Sequence, residues 1–238
     1  MTDNIDIYGG EDPWDIALYT YSEAAKILDI PSSTLRAWTV GQYYTVREER
    51  RLFAPVIKRP SADDTRLSFA NLLEAFVVRA LRVEYDVALH TIREALDIAQ
   101  HELQISRLLI HPQLSTSGGE LLLDQVFQLE QLSRHRQLVI REVVESYLKR
   151  VEWDRGDHPL WLFPWPRRPR HDPESTLIGI NVRISFGRPL IASVGVSTEI
   201  IALRVDAGES PEAIMRDYGL SNDEFFEALH FEGKRRAA

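Results

Sequence analysis

The side chains that could do covalent or metal chemistry in this 238-residue chain are histidine, serine and the carboxylates, because it holds seven histidines and no cysteine. Without cysteine there is no thiolate nucleophile, no disulfide and no cysteine zinc site, as suits a reducing cytosol. His90, His101, His111, His135, His158, His171 and His230 are scattered, and no two stand four residues apart. That is the spacing by which a helix turns two imidazoles toward one metal ion. No metal and no cofactor is expected. Serine is plentiful, yet no Gly-x-Ser-x-Gly elbow and no phosphate-cradling glycine loop occurs, and the many Asp and Glu residues read more simply as caps and solvated faces. The chain is expected not to be an enzyme.

The patterned chemistry is that of binding. Between Tyr19 and Trp38, the residues Ala25, Ile27, Leu28, Ile30, Leu35 and Trp38 are spaced to face a common core, while Ser33, Thr34, Arg36 and Ala37 point outward. A DNA-recognition helix needs that division: apolar residues lock its angle, and small or cationic ones reach bases and phosphates. Arg47, Arg50, Arg51 and Lys58 follow in a segment rich in β-formers and turn residues. The candidate DNA contacts are therefore Ser33, Thr34, Arg36, Arg47, Arg50, Arg51 and Lys58. The formal charge of −8 excludes a protein that coats nucleic acid indiscriminately but leaves room for a local basic site. Charge does change sign along the chain. Residues 1–25 carry six carboxylates and no base, whereas residues 32–59 carry six Lys or Arg against Glu48 and Glu49.

A second set of binding residues lies where the composition changes: Trp153, Trp161, Phe163 and Trp165, with prolines 159, 164, 166, 169 and 173 and the cations Arg167, Arg168 and Arg170. Prolines at that density propagate neither a helix nor a central strand. The aromatic stretch reads either as a strap lying on apolar surface or as an anchor that enters a partner's groove. The arginines are suited to reach a carboxylate-rich site.

The elements that must position these residues are mainly helical. An acidic arm precedes a helix capped by Ser22 and broken at Asp29-Ile30-Pro31, and a second helix, capped by Ser32, runs from Ser33 to about Thr39. Residues 40–67 read as a two-stranded wing. Phe69, Leu72, Leu73, Phe76, Val77, Ala80 and Leu81 recur at helical spacing, as do residues from about Asp86 to Leu103. Leu108 to Ile110 and Leu121 to Leu123 flank a Ser-Thr-Ser-Gly-Gly segment that reads as a small hairpin, and Gln125 to Val151 is again helical. Asn181 to Ile184 and Pro189 to Ile191 are strand candidates. Helices follow from Ser197 or Thr198, from Ser210-Pro211 and from the capping box Ser221 to Glu224.

Two resemblances attach to these residues. The run Tyr-Ser-Glu-Ala-Ala-Lys-Ile-Leu-Asp-Ile-Pro-Ser-Ser-Thr-Leu-Arg-Ala-Trp at 21–38 resembles the opening of MerR-type winged helix-turn-helix domains, and the segments at 67–75 and 91–96 look like the second helix pair of that fold. The likeness covers about residues 19–100. Further on, Ile184 to Ala192, Val196 to Thr198, Ala207 to Ile214 and Asp217 to Ser221 are similar to a small antitoxin domain, a family often encoded beside PIN-like ribonuclease toxins in the manner of VapB and VapC.

The expected fold class is thus mainly α with short β-hairpins, a MerR-like winged helix-turn-helix plus a small C-terminal helix-turn-helix-like antitoxin domain. The boundaries follow as an acidic flexible arm at 1–18, the winged domain at 19–105, a central hairpin and helical region at 106–152, a Trp/Pro/Arg-rich linker at 153–176 and the antitoxin-like domain at 177–238. The last helix opens with Asp223, Glu224 and Glu227, which would repel phosphate. Base reading therefore falls to the first domain, and the second becomes a dimerisation or toxin-binding module. Arg188 and Arg204 are its auxiliary cations. Candidate toxin contacts are Trp161, Phe163, Trp165, Arg167, Arg168, Arg170 and Arg188.

The resemblances imply a cytoplasmic, homodimeric antitoxin of VapB type that binds operator DNA, neutralises a PIN-like ribonuclease toxin and represses its own operon, with no membrane partner. Two other readings stand beside it. One is a solitary MerR-like regulator with an effector pocket within 105–175, and the other a protein–protein adaptor.

Overall fold

The computed structural model describes residues 12–46, 49–115, 117–131, 133–154, 156, 158–165 and 175–237. The chain divides into two compact units, Asp15–Pro159 and a second that runs from Leu160 onward and takes in residues 12–14.

The first unit begins at a bridge between Tyr19 and Leu67, whose amides and carbonyls exchange hydrogen bonds. Helix α1, Tyr21–Leu28, is capped by Thr20 and not by Ser22: the Thr20 hydroxyl accepts from the Glu23 amide, and the Glu23 carboxylate accepts from the Thr20 amide at 2.9 Å. Threonine wins because Glu23 then falls at the third helical position and closes a capping box. Asp29 ends the helix in the left-handed region at φ 56°. Helix α2, Ser32–Val40, starts after Pro31, and no side chain caps it. Ser32 is its first residue rather than its cap.

Strands β1, Gln42–Val46, and β2, Glu49–Phe53, pair antiparallel from Gln42 opposite Phe53 to Val46 opposite Glu49, forming the expected wing. Helix α3, Phe69–Tyr85, opens with a reciprocal Ser68–Asn71 cap. Every residue from Phe69 to Val78 is buried, so the helix runs through the middle of the unit with neighbours on all sides. Helix α4 is Leu89–Leu103.

The hairpin expected between Leu108 and Leu123 is absent. Short 3-10 turns at Leu108–Ile110 and Pro112–Ser115 lead into helix α5, Ser117–Leu129, which contains Gly118 and Gly119. These glycines serve close approach instead of a turn: a Cβ on Gly119 would overlap the Leu114 carbonyl oxygen, and one on Gly118 would lie 2.8 Å from Leu108 Cδ1 and 2.9 Å from the Gln113 oxygen. The helix expected from Gln125 onward is divided, because α5 ends at Leu129 and α6 occupies Arg134–Leu148. Strand β3 is Val151–Trp153. In the core, Phe76 of α3 meets Tyr147 of α6 with ring centroids 4.6 Å apart, and Trp38, Leu35 and Phe69 are almost completely enclosed.

The second unit begins within β4, Pro159–Leu162, and Leu162 bridges Ile180 through two backbone hydrogen bonds of 3.0 and 2.9 Å. Strands β5, Ile178–Gly179, β6, Leu190–Ile191, and β7, Val196–Ser197, form an antiparallel sheet in that order. Residues 181–184, expected as a strand, are instead a turn. Ser185, Phe186 and Gly187 then take φ of 51°, 52° and 69°, a left-handed turn with Phe186 exposed.

Helices α7, Thr198–Asp206, and α9, Asn222–Ala237, pack on the sheet, and α8, Pro211–Tyr218, packs against both of them. Their starts and the stop of α8 are as expected, while α9 runs on past Phe231: Ser210 caps α8 with Pro211 at its first position, Gly219 ends it at φ 68°, and the Ser221 hydroxyl and Glu224 carboxylate form a capping box. Ile201, Ile214, Phe225 and Phe231 make the core. The proline-rich segment contributes to it as well, since Leu162, Phe163 and Pro164 are buried and Trp161 stacks on Phe163 at 5.6 Å. Both rings lie against Gly179, where a Cβ would be 2.8 Å from the Trp161 ring. Leu162, Phe163 and Pro164 thus lie in this core, while Trp161 is half-buried.

Of the acidic arm expected over 1–18, residues 1–11 lie outside the described residues; Arg183 lies 5.0 Å from the Trp14 ring centroid in the second unit, and Asp15 is ion-paired with Arg107 in the first.

Candidate nucleic-acid interface

Helix α2 has one face made for the core and one for solvent. Leu35 and Trp38 are buried, and Thr39 is buried with them, its hydroxyl 2.7 Å from the Tyr21 hydroxyl and donating to the Leu35 carbonyl at 3.0 Å. The Trp38 carbonyl accepts from the amides of Val56 and Ile57 at 2.9 and 3.0 Å. The chain leaving the wing is thereby tied to the end of the helix that precedes it.

On the outer face, Ser33 and Arg36 are exposed and Thr34 and Ala37 half-buried. The Arg36 guanidinium lies 4.6 Å from the centroid of the Tyr21 ring on α1. This contact limits the side chain's freedom without using its N–H groups as hydrogen-bond donors. Ser33, Thr34, Arg36 and Gln42 line a groove of about 540 Å³ whose other wall includes Arg82, in the last turn of α3, and Leu89, the first residue of α4.

The structure brings Ser33, Thr34 and Arg36 together and keeps Lys58 apart. Lys58 is exposed but lines a different cavity of about 460 Å³, with Asp15, Arg59, Glu74 and Arg107, while its carbonyl accepts from Asn71 Nδ2 at 2.8 Å. Arg50 and Arg51 stand on β2 opposite Thr45 and Tyr44. Arg47 lies outside the described residues, as do Arg167, Arg168 and Arg170.

Two features were not foreseen. Arg82 belongs to a helix whose pattern announces only a core, and nothing in its sequence neighbourhood places it in the groove lined by Arg36, 46 residues earlier in the chain. Glu74 does carry a signal, being an acid within the apolar run Leu72, Leu73, Ala75 and Phe76. Arg107 Nε donates to Glu74 Oε1 at 2.9 Å and its Nη1 to Asp15 Oδ1 at 2.5 Å. Burial pushes the Glu74 carboxyl above its ordinary value, against the opposing pull of Arg107 and Asn71.

In the second unit, Phe163 is buried and Trp165 half-buried, so of the proposed aromatic anchors Phe163 is committed to the core. Arg188 is exposed, 3.6 Å from Glu199. Arg204 is not a spare cation: it pairs with Glu209 and with Asp217 at 2.7 Å and lies 5.1 Å from the Tyr218 ring. Both carboxylates are held below their usual range by its hydrogen bonds. The acidic front of α9 is weaker than its composition indicates, because Glu227 is buried and Glu224 is engaged with Ser221 and Ser193. Among the described residues no cluster of His, Asp and Glu could hold a metal ion, and no helix is long and apolar enough to cross a membrane.

Comparison with known proteins divides along similar lines. Residues 17–96 match the family described as "Putative DNA-binding HTH domain", and residues 178–231 match "Protein of unknown function (DUF433)". The chain is 27% identical to "Putative antitoxin VapB45" of Mycobacterium tuberculosis over 91% of its own length and 94% of that protein. The crystal structure of Rv2018 from Mycobacterium tuberculosis has the same fold, with a TM-score of 0.67 at 22% identity over 91% of this chain and 99% of that one. The chain therefore matches a helix-turn-helix family over 17–96 and DUF433 over 178–231, and over most of its length it is similar to a protein named as a putative VapB antitoxin.

Proposed function

We propose that the protein is an antitoxin that binds operator DNA through α2 and the wing, neutralises a PIN-like ribonuclease through its C-terminal unit, and represses its own operon as a homodimer. The observation that carries the DNA half is the division of α2: Leu35, Trp38 and Thr39 anchor it, and Ser33, Thr34 and Arg36 share one open groove. A helix so held can enter a major groove at a set angle. Arg47, Arg50, Arg51 and Lys58 supply phosphate contacts around it, Lys58 from beyond the wing. The antitoxin half rests on the similarity to the VapB-named protein.

On the C-terminal unit, Trp161, Trp165 and Arg188, with Arg167, Arg168 and Arg170, are the residues assigned to the toxin. Phe163 then acts by supporting Trp161, on which it stacks. The test uses the full chain in two assays: titration of its own upstream DNA against an unrelated duplex at fixed salt, and inhibition of a PIN-like ribonuclease encoded beside it. Sequence-selective binding and stoichiometric inhibition are expected. Equal affinity for both duplexes refutes the operator assignment, and full nuclease activity in the presence of excess chain refutes the antitoxin one.

A further inference from the structure

The groove beside α2 has a second wall that no DNA-reading motif accounts for. Arg82 sits there, brought across from α3 to face the same space as Arg36, and the described residues lining that space include Ser33, Thr34 and Gln42 but neither Asp nor Glu. In a chain of net charge −8, a groove whose described lining sets two arginines beside Ser33, Thr34 and Gln42, without Asp or Glu, is matched to an anion that passes through it. The Arg82 side chain is 38% exposed, within reach of a partner, and Arg82 Nη1 pairs with Asp86 Oδ1 four residues on. Asp86 is 88% exposed and stands in the left-handed region at φ 54°, just beyond the end of α3. Among the described residues no other contact holds its carboxylate, so displacing it costs little.

We propose that Arg82 binds a backbone phosphate of the duplex that α2 reads, and that Asp86 occupies its guanidinium when DNA is absent. The inference rests on the DNA-binding reading of α2. A phosphodiester is favoured over a single small anion because Arg36 and Arg82 come from separate walls of an open groove of about 540 Å³, which a continuous strand can span. Arg82 would then fix the register of the helix on the duplex without reading sequence, as phosphate contacts do.

The experiment measures binding of the full chain to its own upstream duplex and to an unrelated one, from about 50 to 200 mM salt, the range over which counterion release is resolved. Arg82→Ala should weaken both by a similar factor and lower the slope of log K against log salt by about one. Arg82→Lys should keep the slope, which separates lost charge from lost fold. Asp86→Asn should tighten binding, because asparagine tolerates the left-handed backbone and removes the competing charge. An unchanged slope in Arg82→Ala, where Arg36→Ala loses selectivity, overturns the role of Arg82 and leaves the reading of α2 standing. Absence of duplex binding by the unmodified chain overturns both.

Discussion

The Arg36 guanidinium lies 4.6 Å from the centroid of the Tyr21 ring, an exposed cation on the second helix resting on a buried aromatic of the first. Helix pair and binding residue are therefore coupled. Arg36→Ala should cost about 1–3 kcal/mol of operator affinity if it makes a bidentate base contact. Arg36→Lys should recover only part of this, since a point charge cannot replace a planar fork. Gel-shift titration of the three proteins decides it; equal affinity of the lysine and arginine forms would show that only charge matters.

Trp38 is 2% exposed and its carbonyl receives the chain returning from the wing. Truncation to alanine should destabilise the first unit by about 3–5 kcal/mol, as for other core aromatics. Urea unfolding monitored by circular dichroism measures this, and a midpoint unchanged from the parent would contradict the placement of α2.

Gly119→Ala should be among the most damaging conservative changes in the chain. The added methyl meets backbone, the Leu114 carbonyl, which cannot turn aside as a side chain would. Overpacking of this kind costs about 1–3 kcal/mol or more. The same substitution at Gly233, where a Cβ meets nothing, should be nearly silent or mildly stabilising. Parallel melting curves of the two variants provide the comparison, and equal shifts would argue against the tight seat of α5.

Glu74 offers a test by pH. Burial raises its folded pKa above the ordinary 4.5, so the native state binds its proton more tightly than the unfolded chain does. Its contribution to stability is therefore complete below 4.5 and is lost as the pH rises through the folded value. The stability difference between the parent and Glu74→Gln should shift against the parent across that rise. Taking the difference removes the opposite slopes from Glu209 and Asp217, whose pKa values are lowered by Arg204. A difference that stays flat with pH would contradict the assignment.

Much of this protein can be read locally. The α8 limits at Ser210-Pro211 and Gly219, the α9 capping box, the antiparallel wing and the apolar face of α2 follow from interactions spanning four residues or fewer, or from a repeat that any helix or strand imposes. The outward residues Ser33 and Arg36 were available for the same reason: once Leu35 and Trp38 are assigned to the core, helical geometry leaves their neighbours outside. Locality also misleads. Gly118-Gly119 reads as a turn until Leu114 is seen against it, Glu227 reads as a surface acid until α9 is packed, and Arg204 reads as a free cation until Glu209 and Asp217 are brought to it. The pairing of Arg36 with Tyr21, the meeting of Glu74, Arg107 and Asp15, and the placing of Arg82 across the groove from Arg36 depend on distances between elements far apart in the chain. Packing alone sets those distances, because a periodic pattern says which face of a helix is buried but not which other face it is buried against.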